Sequence, residues 1–455
     1  MIQAMSKHII QTHERPPLKQ AIPLSIQHMF AMFGASVLVP TLFGINPAVV
    51  LLMNGIGTLF FFWMTQGKAP AYLGSSFAFI GPALIVIARY KDAPGGGFAY
   101  AQGGFVAVGM LVTILALIIH KFGSDWIDKL LPPAAMGPIV ALIGLELSGT
   151  AASTAGILTQ TEYVKVKGAA GLFQQVVTEV DPKNVVVFLV TLGIAVFGSI
   201  LFRNFLSVIP ILIAIIGGYL SAYFIGIVDF TPVQQASLFS LPHFQLARFR
   251  LDAIVTMLPV ALVLVSEHIG HQIVTGKVIE KDLLKDPGLH RSLMGDGIST
   301  MASGMLGAVP TTTYGENIGV MAMTRVYSVW VIGGAAVLSI VSSFIGKFSE
   351  LISTIPGPVI GGISFLLYGM IGASGLRILV DSNVNYGRNR NIIMTSVVFV
   401  TGLSGVTLNL GAVQLKGMVL ACVVGMMMGL IFHILDRLHL TNDMEDEMEE
   451  AASAK

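Results

Sequence analysis

From Ala21 to Gly67 the chain runs 47 residues without an Asp, Glu, Lys or Arg. A helix needs about 20 apolar residues to cross the hydrocarbon core, so this stretch holds two crossings. The chain is therefore an integral membrane protein whose surroundings are the lipid bilayer. A strand-built barrel would show short alternating segments instead. Composition agrees, at 54% hydrophobic and 11% charged residues, against about a quarter charged in soluble domains. Fifty Gly and 20 Pro in so apolar a chain point to close helix packing and interrupted helices. Those are features of transporters and channels rather than of simple anchors.

Charge excludes some partners. With 26 basic and 25 acidic residues the net charge is +1, so no global field gathers nucleic acid. Cys422 is the single cysteine, which rules out an intrachain disulfide and a multi-cysteine metal site. Its setting, MVLACVVGMMMGL, reads as that of a buried thiol. The residues ahead of Ala21 lack a small-residue cleavage site, so no removable signal peptide is expected there.

Apolar runs follow one another along the chain. The first half offers 21–43, 46–67, 69–88, 93–120, 130–151, 184–202 and 204–228, and the second offers 253–276, 292–308, 311–325, 326–346, 351–376, 391–410 and 417–435. The fold expected is all-α and polytopic, with 14 transmembrane segments. Seven spans per half place the second half in the opposite orientation, the arrangement of inverted-repeat transporters. Two internal echoes agree. GSSFAFIGP from Gly74 and TTTYGENIG from Thr311 both run small hydroxyl residues into an aromatic, while PPAAMG from Pro132 and PGPVIG from Pro356 both open an apolar run. With the N-terminus inside, alternate loops hold 17 Lys and Arg against 9 on the other side, so both termini are expected to be cytoplasmic. The acidic end, NDMEDEMEE, reads as a solvated tail.

Ionisable groups inside membrane helices are costly and default to functional hypotheses. Glu267 and His271 in SEHIGHQ are four apart and share a helical face, with His268 turned about 100° away. Glu316 follows Thr-Thr-Tyr-Gly, where an extended segment can turn into a half-helix whose free N–H groups bind acceptor oxygens. Ser75, Ser76 and Phe77 offer the same on the opposite side. Phe77 and Tyr314 supply flat apolar faces. The ligand these parts fit has carbonyl oxygens and N–H donors on one edge, as a pyrimidine does. Other readings stay open: an ion pair that only cements helices, or a metal held by Glu267, His271 and Glu316, for which the aromatic and Gly-rich flanks would have no purpose. Ser266 beside Glu267 imitates a nucleophile and base, yet adjacent helical residues diverge. An anion exchanger or channel should lack two carboxylates. Glu146 reads as structural, and Gln27-His28 as either cavity lining or an interhelical hydrogen bond.

At these residues the sequence resembles the nucleobase-ascorbate transporters. The shared stretches include SIQHMFAMFGASVLVP, PAYLGSSFAFIGP, VSEHIGHQIVTG and TTTYGENIGVMAMTRVYS, and the family signature stands here from Glu316 to Arg325. Purine-transporting members typically carry glutamine in its first place, so Glu316 points to the uracil branch, with a permease of the same family for xanthine, urate or thymine as the alternative. The resemblance implies a core domain (1–123 and 245–350) and a gate domain (124–244 and 351–455), with short antiparallel strands at Ser75–Phe77 and Thr312–Tyr314 breaking spans 3 and 10. It implies uracil as substrate, bound by the carboxylates of Glu267 and Glu316 and by backbone N–H groups of Phe77 and Gly315. Ala35, Tyr314, Ser364 and Tyr368 would line the cavity, and Glu267 with His271 would couple a proton, the one ion required and no other cofactor. It further implies import across a bacterial inner membrane and a homodimer through gate helices. The segment Thr161 to Lys183 is longer and more charged than the family pattern.

Overall fold

The computed structural model describes residues 9–123, 125–165, 173–203, 206–207, 209–410 and 413–441. The acidic tail from Asn442 lies outside the described residues. Each of the fourteen apolar runs contains a helix. Among the described residues, eight helices are long and apolar enough to cross a membrane, and Phe77–Arg89, Pro210–Ile225 and Val329–Ser343 are shorter apolar ones. The remaining runs carry Leu289–Leu306, Gly315–Thr324 and Asn389–Leu403. Their shortness or polarity, with Asp296 and Glu316 inside, keeps them below the threshold of a plain lipid-facing helix.

Among the described residues, three two-stranded antiparallel ribbons accompany the helices. They pair β1 (Leu73–Ser75) with β4 (Thr311–Thr313), β2 (Gln160–Lys165) with β3 (Phe173–Thr178), and β5 (Thr407–Leu410) with β6 (Val413–Lys416). The β2–β3 ribbon occupies part of the polar connection between Thr161 and Lys183.

The β1–β4 ribbon is buried and breaks two apolar runs. Its register sets Leu73 opposite Thr313, Gly74 opposite Thr312 and Ser75 opposite Thr311. The expected segments therefore sit two residues late on the first strand and one late on the second. Helix formation is the reason: Phe77–Phe79 already forms a 3₁₀ turn that runs into Ile80–Arg89, and Tyr314 is the N-cap of Gly315–Thr324. Backbone bonds from Ser76 N–H to Pro310 C=O (2.8 Å) and from Tyr314 N–H to Tyr72 C=O (3.2 Å) extend the ladder. Non-helical backbone survives inside a membrane protein only where its polar groups are satisfied in this way.

Helix packing falls into two sets. In one, Leu289–Leu306 lies along Gly96–Phe122, Val329–Ser343 against Pro47–Met64, and Leu18–Ala31 against Val329–Ser343. In the other, Gly357–Asp381 packs on Pro133–Glu146 and Pro182–Leu201, and Asn389–Leu403 on Gly417–Arg437. Glycine sets the closest approach: a Cβ on Gly109 would lie 2.6 Å from the Gly297 carbonyl oxygen, and one on Gly144 would lie 2.0 Å from that of Tyr368. Small residues that let backbones meet are the usual means of helix association where no hydrophobic effect separates protein from solvent.

Candidate functional site

A cavity of about 400 Å³ opens beside the β1–β4 ribbon. Its wall includes Phe77, Glu267, His271, Thr313, Tyr314, Gly315 and Glu316. Three elements bring these side chains together. The Val260–Ile279 helix carries Glu267 and His271 one turn apart, β4 with the Gly315–Thr324 helix carries Thr313 to Glu316, and the turn after β1 carries Phe77. His271 Nδ1 lies 3.2 Å from the Thr313 hydroxyl, and a Cβ on Gly315 would stand 3.4 Å from His271 Nε2. Glu267 Oε2 is buried and has no hydrogen-bond partner, an acceptor that a ligand N–H would satisfy.

The aromatic groups form one edge of the site. The Phe77 ring lies 6.4 Å from that of Tyr314 and meets Tyr368 edge-on at 5.9 Å. The Tyr314 hydroxyl donates to the Ser75 carbonyl at 2.5 Å, which locks its ring across the ribbon. Gly74 makes room for that ring, since a Cβ there would lie 2.5 Å from Tyr314 Cε2.

Three expected lining residues lie back from this wall. Ala35 is buried just past the break at Met32 that divides Leu18–Ala31 from Phe33–Phe43. Ser364 is buried and donates to the Ile360 carbonyl at 2.6 Å. Tyr368 is buried with its ring against Phe77. His28 joins a helix contact rather than the cavity wall: the Asn317 amide donates to the His28 carbonyl at 3.0 Å, beside Glu316. Glu146 accepts the Met418 N–H at 2.9 Å and so caps the Gly417–Arg437 helix. Cys422 is fully buried.

Sequence reasoning missed Asp296. Its Oδ2 lies 3.0 Å from His268 Nδ1 and accepts the Thr312 hydroxyl at 3.3 Å, with both partners of the pair wholly buried. The signal was present, because Asp296 stands in the apolar run LMGDGIST and an intramembrane carboxylate marks function or a buried partner. Among the described residues no cluster of three or more His, Cys, Asp or Glu could hold a metal.

A two-set helical bundle with a cavity that holds two carboxylates at a broken, strand-paired segment is the build of a membrane carrier. The family model described as a permease family matches residues 19–411. The chain belongs to that family: it is a multi-pass membrane transporter and not an enzyme. It is 51% identical to the uracil permease of Escherichia coli strain K12 over 434 residues, which cover 95% of this chain and 96% of that protein. Similarity to the uracil permease of Paenibacillus larvae is 51% over 439 residues (96% and 100% covered), and to that of Bacillus subtilis strain 168 it is 46% over 418 (90% and 92%). Two solved structures share the fold. The transmembrane domain of a cyanobacterium bicarbonate transporter, BicA, superposes with a TM-score of 0.60 at 16% identity, covering 93% of this chain and 100% of that one. The murine Solute Carrier 26 family member A9 anion transporter in the inward-facing state gives 0.67 at 9% identity, covering 95% and 70%.

Proposed function

We propose that this protein imports uracil with a proton across a bacterial inner membrane. The observation that carries the reading is the meeting of Glu267 and Glu316 in one cavity with the N-terminal ends of two half-helices. A carboxylate accepts a ring N–H, and free N–H groups at a helix start donate to a ring carbonyl. Uracil presents C=O, N–H and C=O along one edge, and its flat ring suits Phe77 and Tyr314. The uracil permeases at 46–51% identity support the same substrate.

Transport follows from alternating access. Spans 1 to 4 and 8 to 11 form the core, and spans 5 to 7 and 12 to 14 form the gate, in a 7+7 inverted repeat. The two packing sets support this division, since the closest helix contacts fall within each set. The cavity wall draws Glu267 and Glu316 from the core and Met370, Ser374 and Arg377 from the gate. Sliding one set past the other would expose it to either side. With both termini cytoplasmic, the ends of spans 8 and 12 face the cytoplasm. Val278, Arg377 and Asp381 line the cavity at those ends, so the present conformation opens inward.

A coupling ion is needed because uracil is neutral near pH 7 and gains nothing from membrane potential alone. Glu267 is the group that takes and returns the proton, and His271, one turn along the same helical face and held by Thr313, tunes it. The test is radiolabelled uptake in cells lacking their own permease. Uracil should accumulate, unlabelled xanthine should compete weakly, and an uncoupler in sodium-containing medium should abolish accumulation. Undiminished uptake that followed sodium would refute proton coupling, and preferential uptake of xanthine would refute the substrate.

A further inference from the structure

The residues ahead of the first span reach the far ends of both carboxylate-bearing helices. Ile10 forms a parallel bridge with Val326: its N–H donates to the Arg325 carbonyl at 3.0 Å, and its carbonyl accepts the Tyr327 N–H at 2.8 Å. The Thr12 carbonyl accepts the Val329 N–H at 3.0 Å, and the Glu14 carbonyl accepts the Ser328 hydroxyl at 2.6 Å. Beyond them the Arg15 guanidinium lies 3.5 Å over the Trp330 ring. Ile10 packs with Val326 and Val331 in a small apolar cluster of its own.

Thr12 joins two things at once. It is only 3% exposed, and while its carbonyl holds Val329 its hydroxyl accepts from Lys281 Nζ at 3.1 Å. Lys281 closes the helix that carries Glu267, its N–H donating to the Gly276 carbonyl at 2.9 Å. Val329 follows the helix that carries Glu316 by five residues. That helix has ten residues and ends in a left-handed Arg325 (φ 57°). A helix so short has little stability of its own, so its tilt is set by what holds its ends. Asn317 is held by His28 at one end, and Arg325 to Val329 are held by Ile10 to Glu14 at the other.

We infer that Ile10–Arg15 is a positioning strap: through Thr12 it fixes the end of the Glu316 helix against the end of the Glu267 helix, and so sets the spacing of the two carboxylates in the cavity. Thr12 touches no cavity atom and acts through the two helices. The strap rests on the reading of Glu267 and Glu316 as ligand-binding groups only for its effect on affinity. Its mechanical part stands alone.

The experiment has two arms on the full chain in detergent or nanodiscs. Hydrogen exchange of the ligand-free wild type should find the Tyr327 and Val329 amides protected, and Thr12→Val and Ile10→Pro should speed exchange across 315–329. Unprotected amides in the wild type would overturn the strap, whatever the variants do. In the second arm, calorimetry with uracil should give about three- to tenfold weaker binding for Thr12→Val, as loss of one hydrogen bond allows. Thr12→Ser, which keeps the hydroxyl, should bind as wild type. In a Glu316→Gln background, Thr12→Val should weaken binding by less than about twofold, because coupled residues are not additive. Additive losses, or wild-type affinity in Thr12→Val, would overturn the positioning role. A wild type that does not bind uracil would instead defeat the functional reading, with the exchange arm left to judge the strap.

Discussion

The two broken segments share a backbone and differ in chemistry. Each is a three-residue buried strand followed by a helical start, and the strands pair antiparallel. Past β1 come Ser76, Phe77, Ala78 and Phe79, with no ionisable group before Arg89. Past β4 come Tyr314, Gly315, Glu316 and Asn317. The Ser75 and Ser76 hydroxyls have no hydrogen-bond partner, whereas Thr312 and Thr313 each engage a charged or titratable side chain. A common scaffold thus presents two helix starts, and only the second of them carries a carboxylate of its own. Backbone N–H groups recur wherever the chain bends the same way, but a carboxylate must be encoded residue by residue.

Substitutions can break or sharpen that contrast. Glu316→Gln keeps the shape and puts a donor where an acceptor is needed. It should cost about 1.5–3 kcal/mol of uracil binding, or roughly ten- to hundredfold in Kd. Titration calorimetry within about twofold of wild type would reduce Glu316 to a structural group. His271→Ala should bring the uracil accumulation ratio in proteoliposomes down toward unity while weakening equilibrium binding by less than about threefold. Normal uphill transport by a stable variant would sink the coupling role.

The β1 side should respond through shape alone. Gly74→Ala drives a methyl to 2.5 Å from the Tyr314 ring and should destabilise by about 1–3 kcal/mol, the usual range for overpacking. The expected readout is a lowered Tm with uracil affinity falling in step. An unchanged Tm would show that the ribbon yields easily. Ser75→Ala should be nearly silent, within about 0.5 kcal/mol, because only the Ser75 carbonyl is used by Tyr314. A large loss of binding would place its hydroxyl on the ligand.

Much of this was legible in the chain. Helix positions follow from runs without charge, which only burial in lipid or protein explains. The strand breaks were legible too, since Gly-Ser-Ser and Thr-Thr-Thr are poor helix interiors. Their register was not, because it depends on where helix propensity resumes at Phe77 and Gly315. Glu267, His271 and Glu316 stood out as ionisable groups in apolar surroundings. Asp296 is legible by the same test, as a carboxylate in an apolar run, but its partner His268 stands on another helix 28 residues away, and no spacing records that pairing. Ser364 and Tyr368 share the Gly357–Asp381 helix with the wall residues Met370, Ser374 and Arg377, and Ala35 lies on a helix outside the wall, so the distance of all three from the cavity depends on how the two sets sit against each other. No local pattern records that distance. Glu146 was read from its small neighbours as structural, and it accepts a helix-start N–H.

In β4, neighbouring residues hold opposite partners: Thr312 reaches the buried Asp296 and Thr313 reaches His271 at the cavity. Side chains alternate along a strand, so a slip of one position exchanges its two faces. Three residues of ribbon therefore act as a partition wall with a fitting on each side. One residue inserted between Pro310 and Thr311 would leave every existing side chain in place in the sequence, yet it would cross-wire the inner imidazole–carboxylate pair and the outer histidine in a single step.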